Sequence, residues 1–277
     1  MGGSKTSRWW TVWGLLILVW AAFPMLWMLS LSFKDPNSFR SSTPSFLPEK
    51  WVWTNYDTVF SDSLFTSALR NSVGIAVLAT GLSVIVAMFA AYAIARLEFP
   101  GKRLLLSIAL AIAMFPQAAL VGPLFNLWRN LGIYDTWIGL IIPYLTFALP
   151  LSIWTMSAFF RQIPWEMEQA AQVDGATAWQ AFRKVIVPLA APGVFTTAIL
   201  TFFFCWNEFL LAISLTSTDR ARTVPAALSF FTGASQFQSP ITAIMAASVV
   251  VTIPIIILVL AFQRRIVAGL TAGAVKG

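Results

Sequence analysis

Long apolar runs separated by short polar breaks set the pattern of this chain. Six stretches, near residues 9–32, 71–95, 104–127, 136–160, 193–216 and 241–262, are continuously apolar. A helix needs about 20 residues to cross a hydrocarbon core, and each run is long enough. Their continuity excludes a membrane barrel, whose strands are shorter and alternate apolar with polar positions. The pattern predicts an all-α polytopic membrane protein with six transmembrane helices, organised as a single domain over residues 1–277.

Between the fourth and fifth runs lies a polar, helix-forming island, residues 161–192. Pro164 suits a first helical turn, and Glu166 and Glu168 put negative charge at its positive dipole end. Asp174-Gly175 reads as a tight turn, after which Ala176 to Lys184 predicts a second short helix. On that helix Trp179, Phe182 and Ile186 recur at helical spacing and form one apolar stripe. The pattern predicts a cytoplasmic helix-turn-helix. Periodicity alone leaves two readings open: a face for a protein partner, or an amphipathic hairpin in the membrane interface.

Composition agrees with the bilayer as solvent. The 277 residues are 58% hydrophobic and 10% charged, with a mean hydropathy of +0.77, against roughly 25% charged residues in soluble domains. Lys5 and Arg8 precede the first run as in a secretory signal, but the run continues for about 23 residues without a small-residue cleavage site and reads as a retained span. An even number of spans puts both termini on one side. That side carries eleven basic and four acidic residues, a balance of +7, against seven and six, +1, on the other. The positive-inside rule therefore places both termini and the island in the cytoplasm. The basic residues flank spans instead of forming a stripe, so nucleic-acid binding is not expected.

Outside, residues 34–68 form a Pro-containing loop expected to fold back, with Trp51, Trp53 and Tyr56 as interfacial anchors; residues 217–240 form a second loop rich in Ser, Thr, Gly and Ala. Pro24, Pro116, Pro123, Pro143, Pro150 and Pro254 fall inside spans and predict kinks.

The chain lacks the Gly-rich loop with Lys that cradles nucleotide phosphates. It has no histidine, its lone cysteine is Cys205, and its carboxylates show no metal-ligand or catalytic-pair spacing. No catalytic residue or metal site is expected. Asn207 and Glu208 lie mid-span, where a charge costs about 2.5–3.5 kcal/mol unless it faces the bundle interior or water, so they are candidates for a translocation path. Glu208 is also readable as a buried helix-pairing group or as an acid held protonated. Gln117 and Asn126, with Thr146 and Ser152, are candidates for the same path or for hydrogen bonding between helices.

The island resembles the signature loop of permease subunits in binding-protein-dependent ABC importers: Ala170-Ala171, Gly175 and Val185-Ile186-Val187-Pro188 fall at the family's spacing, with Gln169 where the family usually has Glu. The tail 263–277, running from Gln263-Arg264-Arg265 through Leu270-Thr271-Ala272-Gly273-Ala274 to Gly277, is similar to that of the second permease subunit in the maltose-type carbohydrate branch, and Trp206-Asn207-Glu208-Phe209 and Leu69-Arg70-Asn71-Ser72 also match that branch. The resemblance implies a bacterial cell-membrane permease with no cofactor of its own, paired with a homologous permease as a heterodimer. It implies two separate ATPase subunits that bind ATP and Mg, and an extracytoplasmic solute-binding protein. Glu166, Glu168, Ala171, Asp174, Gly175, Trp179 and Phe182 are the expected ATPase-docking residues. The expected cargo is a trehalose/maltose-like disaccharide or short oligosaccharide; alternatives are a polyol or glycerol phosphate, or an ion-coupled carrier or channel.

Overall fold

The computed structural model describes the backbone of residues 8–36, 45–231 and 241–274, and the side chains of 9–36, 45–231 and 241–262. The described residues contain helices and no strand. In chain order these are α1 (Arg8–Ser32), α2 (Thr54–Ser61), α3 (Ser63–Arg96), α4 (Lys102–Ala113), α5 (Gln117–Leu131), α6 (Trp137–Gln162), α7 (Trp165–Val173), α8 (Ala178–Leu189), α9 (Ala191–Asn207), α10 (Leu210–Leu215), α11 (Val224–Leu228) and α12 (Ile241–Ala274).

Four helices are long and apolar enough to cross a membrane: Trp9–Ser32, Ser63–Arg96, Trp137–Gln162 and Ile241–Phe262. Two bent pairs bring the number to as many as six. The third expected span, 104–127, is the pair α4 and α5, bent by 87°. Pro116 stands at the break, where its missing N–H and its restriction on the residue before it interrupt the helix. The fifth, 193–216, is broken at Glu208-Phe209 into α9 and α10, and α9 is itself bent by 70° from α8. The second begins earlier than its apolar run because Asp62 accepts hydrogen bonds from the N–H groups of Leu64 (2.7 Å) and Phe65. Pro24, Pro123, Pro143, Pro150 and Pro254 all lie within helices.

The chain divides into two compact units, residues 1–66 with 228–254 and residues 67–227 with 255–277. In the first, α1 presents its apolar length outward and is buried only near its end. There Asn55 ties the turn together, its amide donating to the carbonyls of Ser32 and Lys34 (2.8 Å each) and accepting from Thr242 (3.0 Å). Residues 54–61 of the expected loop form α2, its residues 37–44 lie outside the described ones, and Trp51, Trp53 and Tyr56 cluster around Phe33 while the two tryptophans remain exposed.

In the second unit α6 packs against α4 and α9. A buried hydroxyl chain, Ser83 to Ser152 (3.1 Å) to Thr201 (2.9 Å), joins α3, α6 and α9. Ser152 is thus a helix-pairing group, and Thr146 donates to the Ile142 carbonyl one turn back. At the other end, Asp135 in left-handed geometry (φ 57°) accepts from the N–H groups of Ser217 and Thr218. Asn71 donates to the carbonyls of Asp219 and Arg222, and Ser72 accepts from Val224 N–H.

Candidate coupling elbow and translocation path

The elbow is built by turn chemistry legible residue by residue. After α6, Ile163 and Pro164 are extended (ψ 124° and 140°), and Pro164 caps the start of α7, where its missing N–H costs nothing. Helix α7 ends in a Schellman motif: Ala176 N–H bonds the Ala171 carbonyl (2.9 Å), and Gly175 N–H bonds that of Gln172 (3.0 Å). This requires the left-handed φ of +89° found at Gly175, and no neighbouring atom would meet a Cβ there. The constraint is conformational, not steric. Thr177 and Gln180 then form a capping box, 3.2 Å and 2.8 Å, that starts α8. The Thr-x-x-Gln spacing carries this signal in the sequence.

Of the seven expected docking residues, Glu166, Asp174, Gly175 and Trp179 are exposed and Ala171 is half-buried. Glu168 and Phe182 are not open to a partner. Glu168, 5% exposed, turns inward: its Oε1 accepts from the Tyr92 hydroxyl (2.5 Å), and its Oε2 lies 3.8 Å from Arg96 Nε. Phe182 is buried with Ile186 among Val84, Ala91, Met156, Phe160 and Ile163, so the apolar stripe of α8 faces its own bundle. Trp179 is 56% exposed and stacks on Phe89 and Phe182. The residues that receive the elbow, Tyr92 and Arg96, carry no local sequence signal of that contact; both lie on the last turns of α3, about seventy residues or more upstream.

The break at Glu208-Phe209 behaves differently. Glu208, 6% exposed, is extended (ψ 126°), and its carboxylate accepts from Leu211 N–H (2.8 Å, Oε1) and Ala212 N–H (3.0 Å, Oε2). It caps α10, satisfying donors that the broken helix would leave without partners. Neighbouring Asn207 is exposed, its amide bonded to the Phe203 carbonyl (2.8 Å). Helix α5, which carries half-buried Gln117 at its start and exposed Asn126 within, packs against α10. Interrupted helices at membrane depth are tolerated where they are buried in protein or line a water-filled cavity. Among the described residues no group of three or more Cys, Asp or Glu could hold a metal ion.

The sequence profile described as "binding-protein-dependent transport system inner membrane component" matches residues 83–271, which include the elbow and the break. The chain is 55% identical over 275 residues to the trehalose transport system permease protein SugB of Mycobacterium tuberculosis, covering 99% of this chain and 100% of that one. It is 41% identical over 265 residues to the trehalose/maltose transport system permease protein MalG of Thermococcus litoralis, covering 95% and 94%. Among solved structures, a bacterial ABC transporter involved in the import of the acidic polysaccharide alginate matches with a TM-score of 0.77 at 25% identity, over 95% of this chain and 99% of that chain. A multi-pass membrane fold, the bent elbow at the signature spacing and these matches agree: the chain belongs to the inner-membrane components of binding-protein-dependent transport systems.

Proposed function

We propose that this chain is the permease subunit of an ATP-driven importer that moves a trehalose/maltose-like disaccharide or short oligosaccharide into the cytoplasm. The observation that carries the reading is 55% identity along the full length to a trehalose permease. In this reading the chain pairs with a homologous permease, receives sugar from an extracytoplasmic solute-binding protein, and has both termini in the cytoplasm. Two separate subunits hold ATP and Mg and hydrolyse the nucleotide; this chain is the translocation subunit. They dock on the exposed side of the elbow, at Glu166, Asp174, Gly175 and Trp179, with Ala171 at its edge. Nucleotide-driven closure displaces the docked helices, and packed interfaces with discrete arrangements pass that displacement to the spans. Asn207, Gln117 and Asn126 line the sugar path, and Glu208 holds open the helix break beside it.

The test is reconstitution. The tagged chain should co-purify with an ATPase and a second polytopic permease, and vesicles containing that complex should take up trehalose only with ATP and the solute-binding protein. Uptake by the chain alone, driven by an ion gradient, would replace this reading with an ion-coupled carrier.

A further inference from the structure

Tyr92 and Arg96 stand four residues apart on α3, so they share one face of its final turns. Several contacts that run from the elbow toward the bundle converge on this pair. Glu168 of α7 accepts from Tyr92 and lies within ion-pair distance of Arg96. Arg96 also donates through Nη2 to the Ile163 carbonyl at the end of α6 (2.7 Å), and its guanidinium lies 4.7 Å from the Trp165 ring centre, at the start of α7. The Tyr92 ring meets Phe182 of α8 edge-on at 4.7 Å and Phe160 of α6 at 6.1 Å. Arg96 and Glu168 are almost fully enclosed.

By contrast, the covalent route from α7 to α6 is two extended residues, Ile163 and Pro164, without helical hydrogen bonding across them. A push on α7 through that joint alone would be absorbed as rotation about it. A short charge-assisted bond to α3 removes that freedom, because a bonded and enclosed acid cannot slide without breaking its contacts. We infer that Glu168 is a positioning residue: with Tyr92 and Arg96 it forms the link that delivers displacement of the docking helix to α3. The inference rests on the docking role proposed for the elbow and names the residues through which that role acts.

The test separates coupling from assembly. Wild-type, Tyr92→Phe, Glu168→Gln and Glu168→Ala complexes are reconstituted with their ATPase and solute-binding protein, and trehalose imported and ATP hydrolysed are counted on the same vesicles. ATPase bound per permease should match wild type in Tyr92→Phe, while trehalose imported per ATP falls by about three- to tenfold in Glu168→Ala and by less in Tyr92→Phe and Glu168→Gln. A residue with only a structural role would lower the amount of complex and leave that ratio alone. Wild-type ratios in all three variants overturn the inference. Should Glu168→Ala fail to assemble, Tyr92→Phe, which lacks a single hydroxyl, decides, and a wild-type ratio there is again fatal. A wild-type complex without bound ATPase would overturn the docking proposal itself, and this inference with it.

Discussion

Glu168 and Glu208 are both enclosed acids beside an interrupted helix, yet they close their charge in opposite ways. Glu208 turns onto its own backbone, three and four residues ahead, and starts the next helix. Glu168 reaches a tyrosine 76 residues away and an arginine one turn beyond it. The first arrangement stabilises a local break by supplying acceptors to N–H groups in the first turn of α10. The second fastens one helix to another. The Glu208 bonds run mainly within one stretch of chain, with Tyr144 of α6 close by, whereas those of Glu168 run to another helix.

Five substitutions at four positions sharpen or break this contrast. The largest loss of stability is expected for Arg96→Ala, which leaves the Glu168 carboxylate enclosed without a cation at a cost of about 3–5 kcal/mol. Thermal unfolding of the detergent-purified complex measures it, and a loss smaller than that of Glu208→Ala would mean that the long-range pair is not the stronger tie. Glu208→Ala strands the N–H groups of Leu211 and Ala212, each worth about 1–3 kcal/mol when buried and unsatisfied. Because the cap is local, its damage should appear as lost sugar uptake with ATPase binding intact; co-loss of the ATPase would contradict that. Gly175→Val forces a branched side chain into left-handed geometry at about 1–2 kcal/mol, and Gly175→Asn, which tolerates that geometry, should recover most of the loss. ATPase retention on a pull-down reads this pair, and equal retention by both variants would remove the Schellman turn from the docking argument. The smallest effect on stability, about 1 kcal/mol, is expected for Tyr92→Phe, since the Glu168 carboxylate keeps its arginine. A shift as large as that of Arg96→Ala would reassign the main tie to the tyrosine.

The elbow shows how far local sequence reaches. Asp174-Gly175 marks the turn, and Thr177 with Gln180 marks the start of the helix after it, because both rest on hydrogen bonds spanning three to five residues. The spacing of Trp179, Phe182 and Ile186 gives a shared face. It does not give the face's partner: Phe182 and Ile186 are enclosed by α3 and α6, so that part of the stripe is core, while Trp179 stays exposed. Glu168 misleads in the same way, since a carboxylate in a polar segment looks solvated until a distant arginine is brought to it. Pro116 announces a disturbance in its apolar run, but the 87° turn depends on what neighbouring helices accommodate.

Hydrophobic length, charge balance and turn residues are properties of contiguous segments, and from them the sequence by itself determined an all-helical membrane protein, the position of its runs and the bend between α7 and α8. Only the tertiary structure decided which acid caps a helix and which one ties two helices together, which face of the elbow stays open, and where two spans bend. Those outcomes depend on side chains that meet across helices, and no local pattern encodes the distance between them.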